Sequence, residues 1–234
     1  EAILQLKKKY PRLELLKRSK KLGLGSAYVA GFRYALQHGA ERIFSMDADY
    51  SHDPKQLPRL LEASAHADVV LGSRYIVGGR IVGWSRRRYQ MSTTANIFTR
   101  FILGLRPHDV TTGFRCYRRA FLESLPLNRI VSSGYAFQVE MVMRAHIGGF
   151  SIVEVPITFS DRKMGQSKVS KTELWTSAWS VFRLSLLRPL YRQMVKFALV
   201  GSTSMLVDFG ILNLLVIVFH QNLYLSATIS FILA

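Results

Sequence analysis

The charged and the apolar residues of this chain are separated along its length. Between Val195 and Ala234 the only acidic or basic side chains other than histidine are Lys196 and Asp208, although the whole chain has a formal net charge of +17. The run Phe197–Phe219 is long enough to cross a bilayer, which takes about 20 apolar residues. The sequence therefore predicts a basic folded part followed by transmembrane helices.

The composition also narrows the classes of partner. A basic surface attracts polyanions, but the arginines and lysines cluster in loops and beside the apolar segment, without a DNA-reading helix or an aromatic stacking platform, so no nucleic acid is expected. Cys116 is the only cysteine, so it cannot form an intrachain disulfide. Zinc-protease, paired-cysteine zinc and serine-hydrolase signatures do not occur in the sequence.

Helix and strand patterns alternate along the first 170 residues, which is typical of an α/β domain. We predict helices at Glu1–Tyr10, Ser26–His38, from Pro54, at Tyr89–Leu103, near Arg119–Ser124 and after Gly134, and strands at Leu13–Leu16, Arg42–Met46, Asp68–Leu71 and Ile152–Phe159. In open α/β sheets the ligands bind at the carboxyl ends of parallel strands. Asp47, Asp49 and Arg74 follow two such strands and are therefore expected to lie near one another.

Asp47 and Asp49 directly follow a predicted buried strand. Two carboxylates one residue apart can share a hard divalent cation, and such a cation can bridge a diphosphate. The alternative is an aspartate-rich turn that caps the helix at Pro54, a role for which Asp53 is better placed.

Two further motifs have the chemistry to bind phosphate. Gly23 and Gly25, beside Lys20 and Lys21, would let the backbone approach a phosphate, or they simply form a tight turn that needs positive φ. Guanidinium groups bind phosphate oxygens bidentately, or they form a solvated basic face attracted to anionic lipid. The arginines in question are Arg74, Arg86, Arg87, Arg88 and Arg162.

The sequence divides into three predicted parts. Residues 1–170 form the α/β domain, residues 171–194 form amphipathic helices in a membrane interface with a break at Pro189, and residues 195–234 form transmembrane helices. The excess of basic residues before the apolar segment predicts a multi-pass membrane protein whose folded domain is cytoplasmic.

Several motifs together resemble one known family. KKLGLGSAY, MDADYSHDP, VLGSRY, DVTTGFRCYRR, YAFQVEM and EVPITFSDRKMGQSKVS occur in order between about residues 20 and 170. In this order they are similar to the dolichyl-phosphate mannosyltransferases of glycosyltransferase family 2, which have the GT-A fold, a mixed sheet with flanking helices. KFALVGSTSMLVDFGILNLL resembles the start of the GtrA-like membrane domain that is fused to some prokaryotic members.

The resemblance implies transfer of mannose from GDP-mannose to dolichyl or another polyprenyl phosphate in a cell membrane. It implies that Asp47 and Asp49, with Ser51 nearby, bind Mg²⁺ or Mn²⁺ and the donor diphosphate. It also implies that Gly23 and Gly25 lie at the substrate. The residues implied to hold the acceptor phosphate are Arg74, Arg88, Ser92 and Arg162, with Lys168 close by. Of all these, Asp49, Arg74, Arg88 and Arg162 are the expected catalytic residues.

The chain departs from the family at its start, because the family begins with a strand and an Asp-Asp-Gly-Ser type motif that has no counterpart before Lys20. We therefore expect the first αβ unit of the domain to lie outside this sequence, which would leave the chain inactive or badly impaired. A UDP-sugar donor such as UDP-glucose, and a non-enzymatic basic module that binds the membrane surface, are the alternative functions.

Overall fold

The computed structural model describes residues 2–20, 23–130, 132, 134–161, 171–186 and 189–233. The chain divides into two units, Glu1–Phe182 and Arg183–Ala234. The strands are β1 (Arg42–Ser45), β2 (Val69–Ser73), β3 (Arg80–Val82), β4 (Arg115–Arg118), β5 (Ile152–Pro156) and β6 (Thr158–Ser160). The helices are α1 (Ala2–Lys9), α2 (Leu24–Gln37), α3 (Leu57–Ala63), α4 (Arg86–Leu103), α5 (Arg119–Ser124), α6 (Tyr135–Ile147), α7 (Lys171–Ser185), α8 (Pro189–Asn213) and α9 (Leu223–Leu233).

The first unit contains a mixed sheet in the order β1-β4-β2-β5. β4 runs antiparallel to both β1 and β2, whereas β2 and β5 are parallel. Arg115 is therefore the register partner of Ser45 on one side and of Leu71 on the other, so β1 and β2 end at the same edge of the sheet. This confirms the predicted α/β architecture of a mixed sheet with flanking helices, and it confirms the shared edge.

Two strand predictions were wrong, and two strands, β3 and β4, were missed. Leu13–Leu16 forms no strand, and Leu15 and Leu16 are exposed to solvent. β4 was missed because its sequence, RCYR, has two arginines in four residues. The predicted strand Ile152–Phe159 is two strands in two sheets, since the buried Ile157 donates its N–H to Ser73 and accepts a hydrogen bond from Arg80.

The two faces of the sheet bury different side chains of β4. Cys116 packs into a hydrophobic cluster with Leu60, Val70 and Phe114. The next residue, Tyr117, faces the other way and meets the edge of the Phe32 ring of α2 at 5.2 Å between centroids. Strand residues alternate between faces in this way. Burial raises the pKa of the Cys116 thiol to about 11, so the thiol stays protonated and packs as a structural side chain.

The second unit contains α8, which continues through a π-helical turn at Leu214–Val218. Within the described residues, Tyr191–Val218 is the one helix that is long and apolar enough to cross a bilayer, and α9 is shorter, with 11 residues. One possible spanning helix is therefore found where we predicted several. α8 begins at the predicted break, Pro189, and continues unbroken across the predicted boundary at 194/195.

Candidate active site

The acidic turn after β1 is held by Ser51. The Ser51 backbone N–H donates to Asp49 Oδ1 at 3.1 Å, and the Ser51 hydroxyl donates to the same oxygen. Tyr50, between them, has a positive φ of 64°, a conformation that costs a bulky residue free energy and is common at functional sites. Ser51, predicted as a metal ligand, lies buried under the turn and orients Asp49.

Asp47 lies over a glycine of the loop that leads to β4. Its side chain is 42% exposed, and a Cβ atom added to Gly113 would lie 3.1 Å from Asp47 Oδ2. The Ser45 hydroxyl donates to the Gly113 carbonyl at 2.8 Å and holds that glycine in place. The carboxylate therefore has one face on the Gly113 backbone and the other open to solvent.

His52 supports the turn from below. It accepts a hydrogen bond at Nδ1 from the Asp47 backbone N–H at 3.2 Å. Its ring stacks on Phe114 and meets the edge of Phe159, with centroids 5.1 and 5.3 Å apart. Burial lowers the pKa of His52, although the charges of Asp47 and Asp49 oppose this shift. His52 is thus a neutral core histidine.

The donor atoms of the turn suit a hard cation. Among the described residues no group of three His, Cys, Asp or Glu side chains could hold a metal ion. Mg²⁺ typically binds through one or two carboxylates, with waters and substrate phosphates completing its octahedron. Asp47 and Asp49 fit that mode, in which the remaining ligands come from outside the chain.

Beside Asp47 the acidic turn borders a mainly apolar groove of about 510 Å³ between α2 and the end of β1. Tyr28 and Phe32 line it together with Asp47. Tyr28 stacks on Phe137 of α6 at 5.0 Å between centroids. Burial, with a smaller contribution from the Asp47 charge, raises the pKa of the Tyr28 hydroxyl, so Tyr28 is neutral.

Arg74 is engaged in a buried ion pair. Its Nε and one terminal nitrogen bind the two carboxylate oxygens of Asp109 at 2.7 and 2.8 Å, and Asp109 is fully buried. The same terminal nitrogen donates to Thr111 Oγ1 at 2.9 Å. Asp109 was not identified from the sequence. In this structure Arg74 joins the end of β2 to the loop before β4, and its predicted contact with a phosphate stays a prediction.

Arg88 lies at the start of α4, held by two residues that sequence reasoning missed. One terminal nitrogen donates to Asp161 Oδ1 at 2.7 Å, and both side chains are about one third exposed. The guanidinium also lies over the Trp84 ring, 4.2 Å from its centroid. Trp84 in turn meets the edge of Phe159. The available signal was that Trp84 lies just before the three consecutive arginines, Arg86, Arg87 and Arg88.

Ser92 lies one turn after Arg88 on the same helix. Its hydroxyl accepts a hydrogen bond from the Tyr75 hydroxyl at 2.7 Å. Arg162 and Lys168 lie outside the described residues, so their predicted proximity to Arg88 and Ser92 stays a prediction.

β6 connects the acidic turn with Arg88 and its two partners, Trp84 and Asp161. The Ser160 backbone N–H donates to the Ser51 carbonyl at 3.1 Å, and the next residue, Asp161, binds Arg88. Phe159, just before them, contacts both His52 and Trp84. One short strand thus connects the predicted metal ligands with a predicted phosphate ligand.

Gly23 and Gly25 have local structural roles. Gly23, with φ of 87°, precedes α2, and its carbonyl accepts a hydrogen bond from Ser26 at 2.9 Å. Gly25 is buried inside α2, where a Cβ atom would collide with the Ser132 carbonyl. The tight-turn alternative accounts for Gly23 and close packing accounts for Gly25, while a substrate contact at either stays a prediction.

Comparisons with known proteins found a matching family model and similar sequences. Residues 1–125, more than half of the chain, match the model of glycosyl transferase family 2. The chain is 46% identical over 171 residues to a polyprenol monophosphomannose synthase of Mycolicibacterium smegmatis, a match that covers 73% of this chain and 64% of that protein. It is 48% identical over 160 residues to an undecaprenyl-phosphate mannosyltransferase of Micrococcus luteus, covering 68% of this chain and 66% of that protein. The matches thus span less than two thirds of either relative.

Among solved structures, the chain is similar to glucosyl-3-phosphoglycerate synthase from Mycobacterium tuberculosis in complex with uridine diphosphate. That likeness has 16% sequence identity and a TM-score of 0.47, and it covers 77% of this chain and 58% of the other.

Proposed function

This chain belongs to glycosyl transferase family 2, and from that premise we propose that its protein transfers mannose from GDP-mannose to a polyprenyl phosphate such as dolichyl phosphate. The product, polyprenyl-phosphate mannose, would serve as a lipid-linked sugar donor for glycosylation. The names of the two relatives support mannose as the sugar and a polyprenyl phosphate as the acceptor.

One observation carries the proposal. The acidic turn, with two carboxylates suited to a diphosphate-bound cation, and Arg88, suited to a second phosphate, are connected through the three residues of β6 and Asp161. A transferase of this type must hold two phosphorylated substrates at once, a donor diphosphate and an acceptor monophosphate. The acidic turn, at one end of this connection, would bind the donor diphosphate through a cation. Arg88, at the other end, would bind the acceptor phosphate.

The proposed reaction is a single displacement with inversion. An oxygen of the acceptor phosphate attacks the anomeric carbon of the sugar, the bond from that carbon to the donor diphosphate breaks, and the diphosphate leaves with the electron pair. Because the attacking phosphate is already anionic, no strong general base is needed. Positioning and electrostatic stabilisation would supply most of the rate enhancement.

The residues divide between the two substrates. Asp47 and Asp49 would hold Mg²⁺ or Mn²⁺, and the bound cation would neutralise charge on the leaving diphosphate. Arg88 and Ser92 would donate to the acceptor phosphate, with Arg74, Arg162 and Lys168 as further proposed contacts. Arg74 would have to share its guanidinium between Asp109 and that phosphate, so its main contribution is proposed to be the position of the loop before β4.

The membrane part of the proposal rests on the second unit. Tyr191–Val218 is proposed to span the bilayer as the start of a GtrA-like, multi-pass domain, with the basic first unit on the cytoplasmic side. A lipid acceptor would then lie in the membrane that anchors the enzyme.

The test uses the full-length protein in membranes with radiolabelled GDP-mannose and polyprenyl phosphate. We expect a lipid-extractable mannose product that disappears with EDTA and in Asp49→Asn. Asp53→Asn is the matched control, because Asp53 caps the turn at Lys55 in the same loop and asparagine caps equally well. If only UDP-glucose gave a product, GDP-mannose would be wrong as the donor. Unchanged transfer in Asp49→Asn would exclude the proposed metal site.

A further inference from the structure

The exposed face of α4 is apolar in its C-terminal part, where a soluble helix would be polar. Asn96, Thr99 and Leu103 are buried against the first unit, whereas Ile97, Phe98 and Phe101 are 57, 52 and 82% exposed. Residues three and four positions apart lie on the same side of a helix. These three side chains therefore form one exposed patch, here called the α4 patch. Contiguous exposed apolar surface marks an interaction site more often than a solvated one.

The charge around the α4 patch identifies its partner. From residue 86 to residue 106 the sequence contains five arginines and no acidic residue. Arg86 and Arg87 are exposed at the start of the helix, and Arg106 is exposed just after its end. Apolar side chains flanked by arginines are the pattern of helices that bind anionic membrane surfaces, with the aromatic residues in the acyl boundary and the cations at the headgroups.

The position of the patch gives this contact a role. Arg88 and Ser92 lie on the same helix, on its other side and nearer its N-terminus. We propose that the α4 patch docks on an anionic lipid bilayer and so holds the first unit against the membrane surface. The docking goes beyond the proposed function, because it would hold whichever sugar is transferred.

The test places an environment-sensitive fluorophore at Phe101→Cys, in the full chain reconstituted into vesicles of phosphatidylcholine with phosphatidylglycerol. Cys116 does not interfere, because it is buried and its raised pKa, about 11, keeps the thiol protonated. Phe98→Cys is a second probe of the patch. Glu62→Cys, at an exposed position of α3, is the matched control.

We expect brominated lipids to quench the probes at 98 and 101 and to leave the probe at 62 unquenched. The quenching should be lost in vesicles of phosphatidylcholine alone. It should be weaker with Arg106→Glu than with Lys55→Glu, an equal charge change at an exposed residue just after the acidic turn. A blue shift without lipid quenching would show that protein covers the patch, from this chain or a second copy, and would overturn the proposal. Emission typical of water from the probes at both 98 and 101 would also overturn the proposal. The readout is lipid contact, so it is independent of whether mannose is transferred.

Discussion

At the scale of single residues, the proposed acceptor side of the site depends on Trp84. The ring lies 4.2 Å from the Arg88 guanidinium carbon and 5.5 Å from that of Arg74. Asp161 binds one end of Arg88. An aromatic face and a single carboxylate oxygen together fix the plane of the guanidinium, and its remaining N–H groups are then aimed in a defined direction.

Trp84→Leu should therefore weaken acceptor binding while the fold is kept. Loss of a cation–π contact predicts a roughly two- to fivefold rise in KM for polyprenyl phosphate, with KM for the donor unchanged. Trp84→Phe keeps an aromatic face and should restore most of the loss. Steady-state kinetics with each substrate varied in turn is the measurement, and a fall in kcat with both KM values unchanged would count against this role.

The closeness of the Asp47 carboxylate explains why residue 113 is a glycine. Alanine there would push on Asp47, since the added Cβ would lie 3.1 to 3.2 Å from both carboxylate oxygens. We expect Gly113→Ala to lower the affinity for Mg²⁺ or Mn²⁺, measured as the metal concentration that gives half-maximal transfer. Gly31→Ala is the control, because among the described residues nothing apart from its own helix backbone lies within 4 Å of a Cβ added there. Equal metal dependence in the two variants would contradict the proposed metal site.

At the scale of elements, one side chain attaches α4 to the loop before β4. Asn96 is buried, its amide nitrogen donates to the Ser92 carbonyl and to Thr111 Oγ1, and its amide oxygen accepts from the Val110 N–H at 3.0 Å. The alanine variant would leave that buried N–H unsatisfied, which costs about 1–3 kcal/mol.

Asn96→Ala should thus lower the thermal stability of the protein, measured in detergent by the loss of its circular dichroism signal. Thr94→Ala, two residues earlier on the exposed face of α4, should leave the midpoint nearly unchanged. If the two variants melted together, the link between helix and loop would not contribute as proposed.

The elements also show what the sequence could predict. α2 and α4 were predicted to within about three residues, since apolar periodicity and flanking glycines mark helices well. β4 was missed because an arginine is not expected inside a buried strand. Arg115 can be buried because it donates hydrogen bonds to the carbonyls of Val110, Thr112 and Gln138, and no local sequence pattern reveals these bonds. Asp47 and Asp49 were singled out from their place after a strand. Trp84 lies only four residues before Arg88 and could have been singled out too, whereas Asp161 is 73 residues away in sequence and meets Arg88 only through the fold.

At the scale of the whole molecule, the described site residues and the possible membrane span belong to different units. Asp47, Asp49, Arg88 and Ser92 lie in Glu1–Phe182, and Tyr191–Val218 lies in Arg183–Ala234. A unit with its own hydrophobic core can fold by itself. Chemistry and anchoring should therefore be separable.

A variant of the full-length protein that is truncated after residue 186 should still transfer mannose to a short-chain, water-soluble polyprenyl phosphate. Transfer to a long-chain acceptor should fall much further in vesicles of phosphatidylcholine alone, on which the α4 patch is not expected to dock. The truncated enzyme is then no longer held at the membrane of its substrate, and an enzyme anchored beside its acceptor gains in effective concentration. The ratio of the two rates is the measurement, with the intact protein as reference. If both activities were lost while the circular dichroism spectrum stayed folded, the second unit would contribute to the site itself.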